Sequence, residues 1–204
     1  MAGERKRPWY LVLALLGALA LGTTGAYRGW AQVAAYHAVV DPSAIGEGIV
    51  DEHERAVVEA RAEAVVHALD QAKSRGWPLA VAMLLLGGGM VFMSLRAIGG
   101  SAGARVALVQ LAIAQAGVTA ANHFLLQGVN DAEARFQEAR ATADEHALGL
   151  PVDGAALPTA SMWRAAESMF LVLRSIGSAL VIIGLTRRKS RDFFDAAATA
   201  VEER

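Results

Sequence analysis

The 204-residue sequence contains no cysteine. That excludes disulfides, iron–sulfur clusters and thiol nucleophiles, and leaves the redox compartment open. Lysine is nearly absent too, with three against sixteen arginines, and the formal net charge is −1. A charge so close to zero offers no electrostatic footprint for nucleic acid, so no nucleic-acid partner is expected. Neither H-E-x-x-H nor a phosphate-binding Gly-x-x-x-x-Gly-Lys is present, and a non-enzymatic role is expected. Gly99-Gly100-Ser101-Ala102-Gly103 is glycine-rich, but it joins two apolar runs and reads as a turn. Arginine in place of lysine, with heavy use of alanine, is the mark of GC-rich coding and suggests a bacterial source.

What the chain has in abundance is apolar residues, 54% of the total. They are gathered into runs long enough to cross a bilayer instead of being spread at the half-buried period of a soluble core. Residues 9–27 form the first run, uncharged and preceded by Arg5, Lys6 and Arg7. A hydrocarbon core of about 30 Å needs roughly 20 helical residues. Trp9 and Tyr10 at one end, and Tyr27 and Trp30 at the other, suit the headgroup region. A cleavable secretory signal is the rival reading, but Thr24-Gly25-Ala26 matches the small-residue cleavage pattern poorly, which favours a retained anchor.

Residues 77–95 form the second run, ended by Arg96. Pro78 either opens this helix, where its missing N–H costs little, or kinks a longer one. Gly87-Gly88-Gly89 lies at its middle, and close approach of a neighbouring helix is the ordinary reason for such a cluster. The third run, residues 106–126, has no Lys, Arg, Asp or Glu but is interrupted by Gln110, Gln115, Asn122 and His123. A helix lying flat on a membrane would show charges along one face, so spanning is expected. The fourth, residues 162–186, has Arg164 and Glu167 near its start and Arg174 inside, and stops at Arg187-Arg188-Lys189.

Loop charge orients these spans. Lys and Arg gather at residues 1–8, in the connection 96–105 and in the tail 187–204, whereas residues 28–76 carry eight acidic against five basic and 128–162 six against two. All three basic clusters share one side only if there are four crossings, which places both termini in the cytoplasm by the positive-inside rule. The expected fold is therefore an all-α polytopic membrane protein: four transmembrane helices with a small extracytoplasmic helical cap, multi-pass in a bacterial inner membrane.

The cap would be built from residues 28–76 and 127–161. The chain breaks at Asp41-Pro42, then reads as a long helix from Ile49 to Arg75 with a narrow stripe of small apolar residues. Residues 130–147 are its expected partner, with Asn130 or Asp131 as the cap. Gly149 to Pro158 reads as a loop. In the tail, Phe193, Phe194, Ala197 and Val201 form either a membrane-lying face or part of a frayed end.

Two groups of polar residues are candidates for chemistry. A charge within a span is functional by default. Arg174 would lie roughly 10 Å from the exterior interface if Glu167 marks it, close to Gln115, Thr119, Asn122 and His123 in depth. Its length allows it to snorkel toward Glu167, so a structural polar cluster is favoured over a transport or binding site. The second group is the stripe Arg55, Glu59, Glu63 and His67, spaced by four on one helical face. It lacks the Glu-x-x-His repeat of di-iron bundles and reads as a solvated face. A haem held between helices would need a second histidine at the depth of His123, and His37, His53, His67 and His146 all fall in exterior segments. No cofactor or metal is expected. The expected partners are the lipid bilayer and other membrane subunits or a second copy, the protein acting as an accessory or scaffold subunit. A small transporter or channel using the Arg174 cluster is the alternative.

Overall fold

A computed structural model of the chain describes residues 8–38, 41–148 and 158–202. It is all-α: helices α1 (Trp9–His37), α2 (Pro42–Ile45), α3 (Glu52–Ile98), α4 (Ala102–Leu125), α5 (Gln127–Ala147), α6 (Ala160–Thr186) and α7 (Arg188–Glu202), with no strand among the described residues. Four of them, α1, α3, α4 and α6, are long and apolar enough to cross a membrane.

Helix α3 has 47 residues, about 70 Å at roughly 1.5 Å per residue. That is more than twice a hydrocarbon core, so its charged half, from Glu52 to Arg75, is not part of the span. Pro78 lies inside this helix and neither opens nor ends it. Asp51 starts α3, its carboxylate accepting from the backbone N–H of His53 (2.8 Å) and Glu54 (2.9 Å). These bonds satisfy two of the donors every helix start leaves without a partner. The Glu54 bond, with that from His53, holds the Asp51 carboxyl below the usual carboxylate range. Gly100 adopts φ +89° in the turn from α3 to α4, a left-handed conformation that glycine enters without steric cost.

The chain divides into two compact units. The first comprises Met1–Val33, Leu79–Ala121 and Val172–Arg204. Its core is made of small and medium side chains: Leu11, Leu15 and Ala18 of α1, Met90 of α3, Leu108 and Ala112 of α4, Val181 and Leu185 of α6, and Phe194 of α7. Small residues let backbones approach closely, which is how helices gain packing where water supplies no driving force. Helices α1 and α3 run antiparallel with Gly22 against Gly87 and Gly29 against Ala80. A Cβ at Gly22 would sit 2.9 Å from the Gly87 carbonyl, and one at Gly29 would sit 2.7 Å from the Ala80 carbonyl. Helices α1 and α6 are also antiparallel, Gly17 facing Val181 and Ala14 facing Gly184.

Of the three central glycines only Gly87 is forced by a backbone approach. Gly89 meets Leu111 at ordinary contact distance, and Gly88 faces open space.

Helix α7 corrects the expectation for the tail. Phe194 is fully buried in the core of the first unit, and Ser190 Oγ donates to the Gly184 carbonyl at 2.7 Å. Phe194 is therefore a core residue, not a lipid-facing one; the side chain of Val201 lies outside the described residues.

The second unit comprises Ala34–Pro78 and Asn122–Leu171. Tyr36, Val58, Ala62, Leu126, Val129, Ala134, Ala143 and Ala160 are its buried hydrophobic residues, joined by the buried Gly46 and by Gly76, against which the Tyr36 hydroxyl is packed. Glu54 of α3 pairs with His146 of α5, Asp131 with Arg164 at 3.5 Å, and Trp77 Nε1 donates to His37 Nε2 at 3.3 Å. The start of α5 differs from expectation. It begins at Gln127 behind Leu126, without a side-chain cap, and Asn130 and Asp131 lie inside the helix. Its early start follows from the near-continuity of α4 into α5, which leaves Leu126 N–H bonded to Asn122 O and lets backbone bonds replace a cap. The stretch 149–157, expected as a loop, lies outside the described residues.

Candidate functional site

The buried polar side chains of the first unit are Ser94, Gln115, Thr119, Arg174, Ser178 and Ser190. Two of them meet at one backbone carbonyl. Arg174 is only 5% exposed, and its Nη2 donates to the Leu21 carbonyl at 3.3 Å. Gln115 of α4, 3% exposed, donates through Nε2 to the same carbonyl at 3.2 Å. Thr119, one turn further along α4, is 7% exposed.

Why Leu21 serves as the acceptor follows from the residue four positions on. A helical side chain covers the turn on the N-terminal side of its own Cα, so a side chain at position 25 would shield the Leu21 carbonyl. Position 25 is glycine. A Cβ there would collide with the Gln115 carboxamide and would stand 2.6 Å from Arg174 Nη2. Gly25 thus opens a second bonding direction on a carbonyl already inside a helix, and two donors from two other helices use it.

Arg174 Nη1 and, on α4, Thr119 Oγ1 are enclosed and have no hydrogen-bond partner. Among the described residues of the first unit the only carboxylates belong to α7, at Asp192, Asp195 and Glu202. Another cation, Arg28 of α1, acts on Arg174 electrostatically. A guanidinium removed from water without a counter-charge costs several kcal/mol, on the order of 2.5–3.5 kcal/mol by insertion scales.

No family model matches the chain, and neither curated proteins nor solved structures yield a match. The site therefore has to be read from its own chemistry.

Of the five sequence candidates, the first unit brings together Arg174 and Gln115. Glu167, Asn122 and His123 belong to the second unit. There Glu167 is exposed, Asn122 Oδ1 is enclosed without a partner, and His123 is half-buried, its ring edge-to-face with Phe124 at 5.4 Å. The Arg174 guanidinium, expected to reach for water, is instead held within the first unit by the α1 backbone. Sequence reasoning missed Leu21, Gly25 and Arg28. A backbone acceptor has no residue signature, and the one available signal was the Gly25-x-x-x-Gly29 spacing, which marks a face of close approach.

The charged stripe on α3 is dispersed. Arg55 donates to the Ile49 carbonyl at 2.6 Å through Nη2, and His67 meets Gln71 at 3.4 Å. No group of three or more metal-ligating side chains converges among the described residues. The turn Gly99–Gly103 also has the spacing G-x-S-x-G. That motif presents its serine on a strand-to-helix turn. Here it joins two helices, Ser101 Oγ accepts from the Ala104 N–H at 3.4 Å as a cap for α4, and the first unit contains no histidine.

Proposed function

We propose that the protein is a non-enzymatic accessory or scaffold subunit of a membrane assembly. It would be embedded by four crossings with both termini in the cytoplasm of a bacterial inner membrane, and would carry residues 28–76 and 127–161 as a helical cap outside. The observation that supports this best is the opening of α6. Ser161 to Met169 is helical, yet every side chain in it is exposed, including Met162 (59%), Trp163 (39%) and Met169 (62%). A helix facing lipid on one side still buries its other side against its own chain, and this stretch buries none of its side chains. Glu167 sits within it, and a carboxylate in lipid is costly. A neighbouring membrane protein would cover the apolar residues and supply a polar contact for Glu167.

The experiment is site-specific photocrosslinking in the native membrane. With crosslinkers at Trp163 and Met169, a discrete protein adduct that co-purifies at fixed stoichiometry in mild detergent supports the reading. Adducts with lipid alone, from a particle of single-chain mass, overturn it.

A second reading, a small transporter or channel, is favoured by the partnerless Nη1 of Arg174. Flux in proteoliposomes that Arg174→Leu abolishes while the protein stays inserted and folded would replace the scaffold reading by this one.

A further inference from the structure

Arg174 is a buried charged side chain, one of whose nitrogens is enclosed without a partner. We infer that the Arg174 guanidinium, with the Thr119 hydroxyl beside Gln115, binds a carboxylate anion. The inference concerns binding alone and holds for a scaffold or a transporter; it rests only on the protein being membrane-embedded.

The donor inventory sets the ligand class. Arg174 spends Nη2 on the Leu21 carbonyl and keeps both N–H groups of Nη1 without an acceptor. Thr119 Oγ1 is enclosed and has an O–H to donate. The Gln115 amide nitrogen gives one of its two N–H groups to the Leu21 carbonyl. What is missing is an acceptor with negative charge. Helices α1, α3, α4 and α6 contribute no carboxylate among the described residues of this unit. Arg28, one turn beyond Gly25 on α1, is exposed and adds a second positive charge.

A carboxylate fits better than other anions. Its two coplanar oxygens match a planar guanidinium, and its single charge balances a single buried arginine. Low dielectric strengthens such a pair once it has formed. The Arg28 charge draws an anion to that end of the helix. The carboxylate has two sources, a water-soluble acid or the head of a fatty acid in the bilayer.

The test uses the full-length protein in phosphatidylcholine nanodiscs, with insertion verified separately by resistance to alkaline extraction. Benzoate represents the soluble source and oleate the lipid one; benzamide and oleyl alcohol are their uncharged controls. Binding is read as a saturable rise in the thermal midpoint and by titration calorimetry. At least one carboxylate is expected to bind and its control not to. Benzoate alone identifies a soluble ligand, oleate alone a lipid one. Arg174→Gln should weaken binding by at least about tenfold, the equivalent of one charge-assisted hydrogen bond. If that variant does not fold, Arg174→Lys, which keeps the charge and loses the fork, and Thr119→Val should each weaken binding severalfold. No response to either carboxylate, an equal response to the uncharged controls, or an unchanged affinity in the folded variants overturns the inference and leaves Arg174 a structural residue.

Discussion

Gln115 and Arg174 reach from two different helices to the same backbone oxygen, the carbonyl of Leu21, at 3.2 and 3.3 Å. The convergence depends on position 25 having no side chain. Gly25→Leu should therefore expel one or both donors and destabilise the protein by about 1–3 kcal/mol, the usual cost of overpacking. Thermal unfolding in detergent, with Gly117→Leu as a control at a site facing open space, measures the effect.

The adjacent glycines Gly87 and Gly88 should respond oppositely to the same change. A Cβ at Gly87 would lie 2.7 Å from the Gly22 carbonyl, and backbone cannot move aside cheaply. One at Gly88 meets nothing within 4 Å. Gly87→Ala should lower the thermal midpoint. Gly88→Ala should leave it unchanged or raise it, since alanine is favoured over glycine in helix interiors by about 1 kcal/mol.

Neighbouring phenylalanines in α7 also differ. Phe194 is fully buried, whereas Phe193 is only partly so. Phe194→Ala should cost about 3–5 kcal/mol, and Phe193→Ala clearly less. A comparison of unfolding midpoints decides this. Equal costs would mean that α7 lies on the membrane and is not packed into the unit.

How much of this was legible beforehand depended on whether the cause was local. The runs 9–27, 77–95, 106–126 and 162–186 each fall within or nearly within one of the helices α1, α3, α4 and α6, because twenty consecutive apolar residues have one economical solution in a bilayer. Pro78 was ambiguous because a proline reads alike at a helix start and inside a long helix; only the packing of α3 distinguishes them. Phe194 was misread for a similar reason. An amphipathic helix has the same pattern whether its apolar face meets lipid or protein. The Leu21 carbonyl had no sequence signal of its own, and without it Arg174 seemed free to leave for water.

Acid should loosen the start of α3. The Asp51 carboxyl is held below the usual range, chiefly by the Glu54 N–H and also by that of His53. A folded pKa below the unfolded one contributes stability that is fully present above the unfolded value, about 3.9, and is lost as pH falls through the folded value. Amide exchange at residues 52–55 should accelerate over that acid window. Asp51→Asn, which still caps but does not titrate there, should remove the pH dependence.

The topology is tested most directly by reporter fusions after Ser101, Leu148 and Arg204, each with one reporter active only in the cytoplasm and one active only outside it. Four crossings require cytoplasmic activity after Ser101 and Arg204 and exterior activity after Leu148. Exterior activity after Arg204 beside cytoplasmic activity after Ser101 would mean an odd number of crossings between them, and would contradict the arrangement on which the assembly reading rests.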